Sequence, residues 1–341
     1  MRWYREPMSR SDNAAAEHSP AAPEVTVVIP TRNRWAWLKD ALTTALGQRD
    51  VDLEVVVVDE ASSDETPERL AAIEEPRLRV IRNQRPLGQA GARNRGIEVA
   101  RGAWVAFLDD DDLWSPNKLR MQLDAAAQAS AAFAYGAVAQ LDAQRRVYRT
   151  HAAPPPSELS SRLGRINMLP ATASNIIVRT SRLRELGGFD ERLNQLADWD
   201  MGLRLARTST AAAVAEVLVG YVHHTESIRT VDERGLEREF AYFASKHAPD
   251  GAEQLLYDRA SMARWLGWGY VRAGKRRQGA RIYLRSAVRD RSLGNAICAL
   301  GAAIGRRRGD RLIALLTPEA GPDKSAPNHD WLRPYQTGAA P

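Results

Sequence analysis

The segment Val25–Leu46, VTVVIPTRNRWAWLKDALTTAL, predicts a buried β-strand that runs through a polar turn into an amphipathic helix. VTVVIP is a short β-branched run that ends in proline, a residue typical of turns. Further on, Trp35, Leu38 and Leu42 recur at helical spacing and fall on one face. A strand that leads directly into a covering helix is the repeating unit of α/β proteins.

The same strand–helix unit recurs along the chain as far as about residue 130. The later strand-like runs are LEVVVVD (53–59), LRVIRN (78–83) and AWVAFLD (103–109). They are largely continuous apolar runs rather than alternating ones, as expected for strands that helices cover on both faces. The sequence therefore predicts an α/β fold with a doubly wound, mostly parallel, Rossmann-like sheet and a helical C-terminal appendage.

Composition divides the chain into a disordered polar tail, an α/β domain with two halves, a helical region and a loose Pro- and Gly-rich tail. The predicted boundaries are 1–23, 24–230 (halves 24–130 and 131–230), 231–316 and 317–341. Within the helical region, a helix–turn–helix is predicted to turn at Ala273–Gly274. One such pair cannot bury a core of its own, so it must pack on the domain or on a partner.

Positive charge is concentrated near the C-terminal end. The net charge of the 341 residues is +6, and the span from Arg259 to Arg311 holds fourteen Arg or Lys residues against two Asp. An anionic surface, such as lipid headgroups or a nucleic acid, is one partner for this region. A solvated helix face without a partner is the other interpretation.

The single cysteine, Cys298, excludes an intrachain disulfide and a Cys-based metal site, in keeping with a reducing compartment. The first twenty residues contain no apolar segment typical of a signal peptide. No stretch approaches the ~18 apolar residues of a spanning helix. We therefore expect a cytoplasmic location, with peripheral contact at the inner face of a membrane as an option.

Polar and charged groups follow three of the predicted strands. They are Thr31 and Arg32, then Asp59 and Glu60, and finally the tetrad Asp109–Asp112 in FLDDDDLW. Ligands of such sheets bind beyond the carboxyl ends of the strands, so these groups should converge on one crevice. A carboxylate cluster suits Mg²⁺ or Mn²⁺, which take one or two carboxylates and let phosphates complete the shell. The alternative is a solvated turn in which Asp112 starts the next helix.

Ordered motifs resolve these alternatives. VTVVIPTRNR, VVVVDEASSDET, GQAGARNRGIEVARG and AWVAFLDDDDLWSPNKL occur in that order, followed by SNIIVRTSRLRELGGFDE and ADWDMGLRLA. Together they resemble the family 2 glycosyltransferases, an inverting group with the GT-A fold, over residues 24–230. The resemblance implies a nucleotide-sugar half at 24–130, an acceptor half at 131–230, and metal-dependent transfer from a nucleotide-diphospho-sugar. A UDP-sugar is the favoured donor.

The resemblance also implies roles for individual residues. Asp111 would bind the metal, with Asp109 and His224 as further candidates. Asp198 would be the catalytic base, with Asp200 as its competitor. Two residues that are two apart on a helix point about 200° from each other, so the two aspartates cannot both face the acceptor. The donor side would be formed by Thr31, Arg32, Asp59, Glu60, Arg93, Asp109 and Asp110.

Two departures from the family pattern narrow the expectation. Ala197 stands where relatives often have a glutamate, and no Q-x-x-R-W segment follows Asp198. That segment marks processive synthases, so we expect the addition of one or a few sugars to a saccharide or lipid-linked acceptor. Synthesis of cell-envelope polysaccharide, glycolipid or glycoconjugate is the expected setting.

Three alternative functions were weighed against this one. A nucleotidyltransferase that makes the donor would need a Gly-rich loop after the first strand, which PTRNRWAW lacks. A non-catalytic module that only binds nucleotide-sugars would be suggested by loss of Asp111 or Asp198, and both are present. A nucleic-acid-binding function would leave the aspartate tetrad unexplained, so we expect no nucleic acid as a partner.

Overall fold

A computed structural model describes residues 22–164, 167–169, 171–224, 233–247, 259–272, 274–316 and 328–336. The strands are β1 Val25–Thr31, β2 Leu53–Asp59, β3 Leu78–Arg82, β4 Trp104–Phe107, β5 Leu113–Trp114, β6 Phe133–Leu141, β7 Val147–His151, β8 Ile177–Arg179 and β9 Ala211–Val222. The helices of the α/β part are α1 Trp35–Leu46, α2 Thr66–Ala71, α3 Gly88–Val99, α4 Lys118–Gln128, α5 Pro156–Arg162, α6 Thr172–Asn175, α7 Thr180–Glu185 and α8 Ala197–Thr208. The C-terminal helices are α9 Glu233–His247, α10 Arg259–Arg272, α11 Arg276–Arg289, α12 Leu293–Ile304 and α13 Arg306–Leu316.

The predicted α/β architecture is confirmed. One sheet has the order β3-β2-β1-β4-β8-β6-β9-β5, with β7 paired to β6. Strands β1 to β4 pair in parallel, whereas β8 is antiparallel to both of its neighbours. Most paired residues belong to parallel ladders, because the long pair β6–β9 is parallel as well.

Helices cover both faces of the parallel half, which is why its strands are continuously apolar. All seven residues of β1 and of β2 are buried. Val27 and Ile29 pack into one core cluster, while Val28 points into the cluster on the other face. The two-residue strand β5, which the sequence pattern does not predict, pairs with β9 and draws the chain after β4 across the sheet. The aspartate tetrad is the link between β4 and β5.

Helices α10 and α11 pack into the core of the α/β domain, and α12 and α13 pack on these two helices. The chain turns between α10 and α11 at Gly274, as predicted, with φ of 76°. Leu266 and Tyr270 of α10 and Ile282 of α11 belong to the same core cluster as Phe107 of β4. In the part of the chain that the structure describes, no helix is both long enough and apolar enough to cross a membrane.

The two predicted tails have different outcomes. The N-terminal tail, 1–23, lies outside the described residues except for its last two. The loose tail predicted at 317–341 is wrong for residues 328–336, where Asp330–Tyr335 form a 3-10 helix against the sheet. Its Leu332 is fully buried, and Trp331 Nε1 donates a hydrogen bond of 2.9 Å to Val217 O.

A glycine makes room for this segment. A Cβ atom built on Gly220 of β9 would lie 2.7 Å from Leu332 Cδ2, closer than such atoms approach. Leu332 therefore fills a gap in the sheet face together with Leu113 and Leu141. The apolar pair Trp331–Leu332 outweighs the Pro and Gly content on which the prediction was based.

Replacing Leu332 by alanine should lower the free energy of unfolding by about 2–4 kcal/mol, because it removes a fully buried side chain and leaves a cavity. The matched control is Leu315→Ala, since Leu315 is 82% exposed and its loss should change stability by no more than about 0.5 kcal/mol. Urea unfolding followed by circular dichroism measures both. Equal stability of the two variants would mean that residues 328–336 do not pack on the sheet.

Candidate active site

The turn after β1 is fastened to the turn after β2. Asn33 adopts a left-handed conformation with φ of 55°, one that asparagine tolerates better than most residues. Its backbone N–H donates to Ser62 Oγ at 2.9 Å, and its side-chain Oδ1 accepts from Ser63 N at 2.7 Å. These bonds hold the carboxyl ends of β1 and β2 together, as the predicted crevice requires.

Asp59, at the end of β2, keeps one oxygen without a hydrogen bond. Its Oδ1 accepts from Ser62 N at 2.9 Å, but the buried Oδ2 has no hydrogen-bond partner, and Arg82 Nε lies 3.6 Å away. A buried carboxylate oxygen is costly to leave unsatisfied. Asp59 can therefore accept a hydrogen bond from a ligand.

Glu60 serves the protein itself. Its carboxylate accepts hydrogen bonds from the backbone N–H groups of Leu87 at 2.6 Å and Gly88 at 2.7 Å, and from Asn83 Nδ2 at 2.5 Å. Because Gly88 is the first residue of α3, Glu60 caps that helix with a negative charge. Its predicted contact with the donor would compete with these bonds.

The aspartate tetrad is a turn, but not a solvated one. Asp112 N donates to Asp109 O at 3.1 Å, which closes the turn. Asp110, Asp111 and Asp112 are exposed by 5%, 8% and 0%, so the solvated-turn alternative is wrong. The four carboxylates have different partners and are not equivalent.

Asp112 has a structural role. Its Oδ2 accepts from Ser174 Oγ at 2.5 Å, and its Oδ1 accepts from Val222 N at 3.1 Å. Burial, together with the charges of Asp111 and Asp109, raises the pKa of Asp112 well above its usual range. Asp112 therefore ties α6 to the end of β9 rather than serving the following helix, which begins only at Lys118.

Asp110 and Asp111 share one guanidinium, that of Arg34. Arg34 Nη1 lies 2.8 Å from Asp110 Oδ1 and 3.0 Å from Asp111 Oδ2. Thr31 Oγ1 also donates to Asp110 Oδ2 at 2.8 Å. Burial and the charge of Asp111 raise the pKa of Asp110, and Arg34 offsets this only in part.

Sequence reasoning singled out Arg32 and missed Arg34. Arg32 is exposed, and none of the ion pairs within the described residues involves it. Both arginines lie in the same turn, T-R-N-R, and their spacing alone does not indicate which one faces the tetrad. The usable signal is that Arg34 is the N-cap of α1, where a cation opposes the helix dipole and calls for a negative partner.

His224 lies against Asp111, as the resemblance implied. Its Nε2 is 2.9 Å from Asp111 Oδ2, and its ring stacks on Trp37 with centroids 4.1 Å apart. Burial alone would raise the pKa of Asp111, but the hydrogen bond with His224 and the charge of Arg34 lower it. Asp111 therefore stays ionised more readily than Asp110 and Asp112, whose pKa values are raised.

The donor atoms of this pair fit a divalent cation that is held partly by its ligand. Within the described ranges, no group of three or more His, Cys, Asp or Glu side chains could hold a metal by itself. One carboxylate and one imidazole, both nearly buried, nevertheless meet at Asp111 and His224. Mg²⁺ and Mn²⁺ accept such oxygen and nitrogen ligands and complete their shells with water and phosphate oxygens.

Arg93 joins the tetrad to the predicted base. Its guanidinium, with 1% of the side chain exposed, lies 2.6 Å from Asp109 Oδ1 and 2.5 Å from Asp198 Oδ1. Gln89 Nε2 donates to the same Asp109 oxygen at 3.0 Å. Burial and the charge of Asp109 raise the pKa of Asp198, and Arg93 acts against them. A carboxylate that faces an open crevice and has a raised pKa is suited to accept a proton.

Asp200, the competing candidate, points away from this crevice. It is fully buried and lies 2.7 Å from Arg204 Nη2, 2.6 Å from Lys246 Nζ and 2.8 Å from His247 Nε2. The last two residues belong to α9, so Asp200 fastens that helix to α8. The structure thus separates the two aspartates as the helical angle predicts.

Helix α9 also fixes the start of α8, which carries Asp198. Glu239 Oε2 accepts hydrogen bonds from the backbone N–H groups of Asn194, Gln195 and Leu196 at 3.0, 2.8 and 3.2 Å. A carboxylate at a helix N-terminus stabilises both the free N–H groups and the dipole. The sequence pattern contains no sign of this long-range cap.

Comparison with known proteins now identifies the domain. Residues 26–187 match the model of Glycosyl transferase family 2. These residues belong to glycosyl transferase family 2. The family predicted from the ordered motifs is therefore confirmed.

The names of two curated relatives refer to polysaccharide or lipid-linked sugar synthesis. The chain is 35% identical over 217 residues to the succinoglycan biosynthesis protein ExoO of Rhizobium meliloti, a match that covers 59% of this chain and 61% of ExoO. It is 33% identical over 112 residues to the UDP-Glc:alpha-D-GlcNAc-diphosphoundecaprenol beta-1,3-glucosyltransferase WfgD of Escherichia coli, covering 33% of this chain and 44% of WfgD. The chain thus spans less than two thirds of either relative.

Solved structures confirm the GT-A-type fold. The TarS protein of S. aureus superposes with a TM-score of 0.55 at 18% identity, over 86% of this chain and 52% of TarS. A shorter form of TarS, residues 1–349, in complex with UDP gives a TM-score of 0.51 at 17% identity, over 86% of this chain and 90% of that one. At this level of identity the likeness establishes the fold.

The different surroundings of Asp198 and Asp200 predict different costs of substitution. Asp200→Asn should lower the free energy of unfolding by about 3 kcal/mol, since Asp200 is fully buried and the largely buried Arg204 of α8 would lose the carboxylate with which it pairs. Asp198→Asn should cost less than about 1 kcal/mol, because that side chain is 28% exposed and can still accept a hydrogen bond from Arg93.

Urea unfolding of the two variants beside the unchanged protein measures these costs. If Asp198→Asn proved the more damaging change, the assignment of Asp200 to the structural network would be wrong.

Proposed function

We propose that this protein is an inverting, non-processive glycosyltransferase that moves a sugar from a nucleotide-diphospho-sugar to an acceptor hydroxyl. The observation that carries the proposal is Arg93, which lies between Asp109 of the tetrad and the candidate base Asp198. A donor-side carboxylate and an acceptor-side carboxylate thus share one crevice. The family match favours glycosyl transfer over the nucleotidyltransferase alternative.

The nucleotide would occupy the ends of β1 and β2. The unsatisfied Oδ2 of Asp59 can accept a hydrogen bond from the base or ribose, and the exposed Arg32 can stack on the base. Thr31 and Asp110, which are already bonded to each other, would form the floor beside the ribose. A UDP-sugar is favoured because the name of WfgD gives UDP-Glc as its donor.

A divalent cation, Mn²⁺ or Mg²⁺, would be held by Asp111 and His224, with Asp109 within the same turn. When bound, it neutralises the charge that develops on the leaving diphosphate. The protein's own part is to present one ionised carboxylate and one imidazole at a fixed separation. Trp37, stacked on His224, keeps that ring in place.

Asp198 would act as the general base. The acceptor hydroxyl oxygen forms a bond to the anomeric carbon while the bond from that carbon to the diphosphate oxygen breaks, and the electron pair leaves with the diphosphate. The hydroxyl proton passes to Asp198. Because this is a single displacement from the opposite face of an oxocarbenium-like centre, the anomeric configuration is inverted.

The acceptor is proposed to be a saccharide or a lipid-linked saccharide of the cell envelope. This rests on the names of ExoO and WfgD, which refer to succinoglycan and to a diphosphoundecaprenol. The absence of a Q-x-x-R-W segment after Asp198 supports the addition of a single sugar or a few.

The C-terminal helices support peripheral attachment to an anionic membrane. Of the nine large apolar side chains that are exposed in the described residues, seven lie in α10 to α13. The most exposed are Val288, Leu293 and Leu315, at 75%, 76% and 82%. On α11, Arg281 and Arg285 share one helical face with Leu284 and Val288, a mixture suited to anionic headgroups above acyl chains.

Asp198→Asn should retain donor binding and lose transfer by at least about a hundredfold, because only the proton acceptor is removed. Asp111→Ala should lose the metal-dependent part of donor binding. A thermal-shift screen of nucleotide-sugars with Mn²⁺ selects the donor, since a ligand of the folded state raises the melting temperature. Release of the nucleoside diphosphate in the presence of extracted cell-envelope lipids and saccharides then measures transfer. Undiminished transfer by Asp198→Asn would refute the base assignment.

Attachment to the membrane is tested by flotation with vesicles that contain phosphatidylglycerol. The unchanged protein should float at low salt, and the double variant Arg281→Glu, Arg285→Glu should remain at the bottom, because its charge is reversed at the lipid surface. Arg95→Glu on α3 is the matched control and should float. If the unchanged protein fails to float at low salt, the membrane proposal is wrong.

A further inference from the structure

The position of Arg34 sets up a competition that the proposed function does not by itself require. One of its nitrogens contacts a carboxylate oxygen of Asp110 and one of Asp111 at the same time. The oxygen on Asp111 is Oδ2, which is also the atom that lies 2.9 Å from His224. The atom best placed to bind a divalent cation therefore already has a cation of the protein beside it.

The charges that face this point come from three segments of the described chain. Asp110 and Asp111 belong to the turn after β4, Arg34 precedes α1, and His224 follows β9. Arg93 of α3 is turned to Asp109 and Asp198 instead. Among the described residues, Arg34 is thus the cation in direct contact with both Asp110 and Asp111.

Arg34 cannot remove the conflict by losing its proton. A guanidinium stays charged at any pH that leaves the protein folded, unlike a buried lysine or histidine. A metal ion at Asp111 must therefore either displace Arg34 or bind beside it against charge repulsion.

We propose that Arg34 competes with the divalent cation for Asp110 and Asp111. Arg34 holds these two carboxylates in the donor-free protein, and it gives way when a diphosphate arrives with the metal. The inference rests on the metal site of the proposed function. The side chain of Arg34 is 23% exposed, so it has an open side toward which it can turn. The diphosphate supplies the negative charge that lets Arg34 and the metal ion occupy the same crevice.

The consequence is coupling between metal and donor. The protein alone binds the cation weakly, and a nucleoside diphosphate strengthens that binding. By reciprocity the cation strengthens nucleotide binding by the same factor. Removal of Arg34 should then strengthen metal binding much more without a nucleotide than with one, a difference that a merely structural role would not produce.

The test measures Mn²⁺ binding through the electron paramagnetic resonance signal of the free ion, with no sugar transfer involved. Arg34→Ala should bind Mn²⁺ about tenfold more tightly than the unchanged protein when no nucleotide is present. With saturating UDP, or GDP in a parallel series, that gain should shrink to about twofold or less, because the diphosphate no longer has the positive charge of Arg34 beside it. Arg34→Gln, which keeps a hydrogen bond without the charge, should show the same gain.

The matched control is Arg120→Ala. It also removes one positive charge from an ion pair, that with the exposed Asp124, but leaves the tetrad unchanged. Its Mn²⁺ affinity should equal that of the unchanged protein. Circular dichroism of each variant verifies that it is folded.

The outcomes separate this inference from the proposal on which it rests. If the two Arg34 variants bind Mn²⁺ without nucleotide no better than the unchanged protein, Arg34 is not a competitor, even where UDP still promotes metal binding. If Asp111→Asn binds Mn²⁺ as well as the unchanged protein under all conditions, the metal is not at Asp111. Both the proposed metal site and the proposed competition by Arg34 are then wrong.

Discussion

Repulsion between carboxylates is the constraint on which the crevice depends. Four consecutive aspartates follow β4, and three of them are almost completely buried. Such a group is tolerable only if each member has its own compensation. Here Asp109 has Arg93, Asp110 and Asp111 have Arg34, and Asp112 is hydrogen-bonded to Ser174 and to the backbone of β9. These cations and hydrogen-bond donors come from four different segments, so the tetrad also fixes where those segments meet.

The order of the strands in the sheet determines which side chains lie close enough to compensate the charges of the tetrad. Strand β4 ends beside β1, which brings Thr31 and Arg34 to one side of the tetrad. The short strand β5 then pairs with β9, which brings His224 to the other side. Helix α8 is linked to the tetrad through Arg93, and α9 holds α8 through Glu239 and Asp200. The helical C-terminal part therefore contributes to the geometry of the crevice, although none of its described residues is bonded to the tetrad.

Much of this could be predicted from the sequence because apolar runs, turns and charged strand ends are local signals. The α/β class and the convergence of three strand ends follow from such signals, whereas the different roles of the four aspartates follow from the resemblance to the family. Arg34 was missed because two arginines share one turn, and the N-cap position that distinguishes them depends on where α1 begins. Glu60 was assigned to the donor by the resemblance. Its bonds to the backbone N–H groups of Leu87 and Gly88 could not be predicted, because nearly every residue carries such a group. Residues 328–336 were misjudged because composition counts Pro and Gly, whereas packing depends on where Trp331 and Leu332 meet a gap.

The packing of Trp331 and Leu332 on the sheet affects the order in which parts of the chain fold. Trp331 bonds to Val217 across a separation of 114 residues, and Leu332 closes the face of the sheet at Gly220. A chain that emerges from the ribosome exposes β5, β6 and β9 on that face until residue 332 follows. Non-local contacts of this length form late and slow the completion of folding. Strand β9, which precedes His224, is therefore covered late, and Asp111 is synthesised well before the histidine that it contacts.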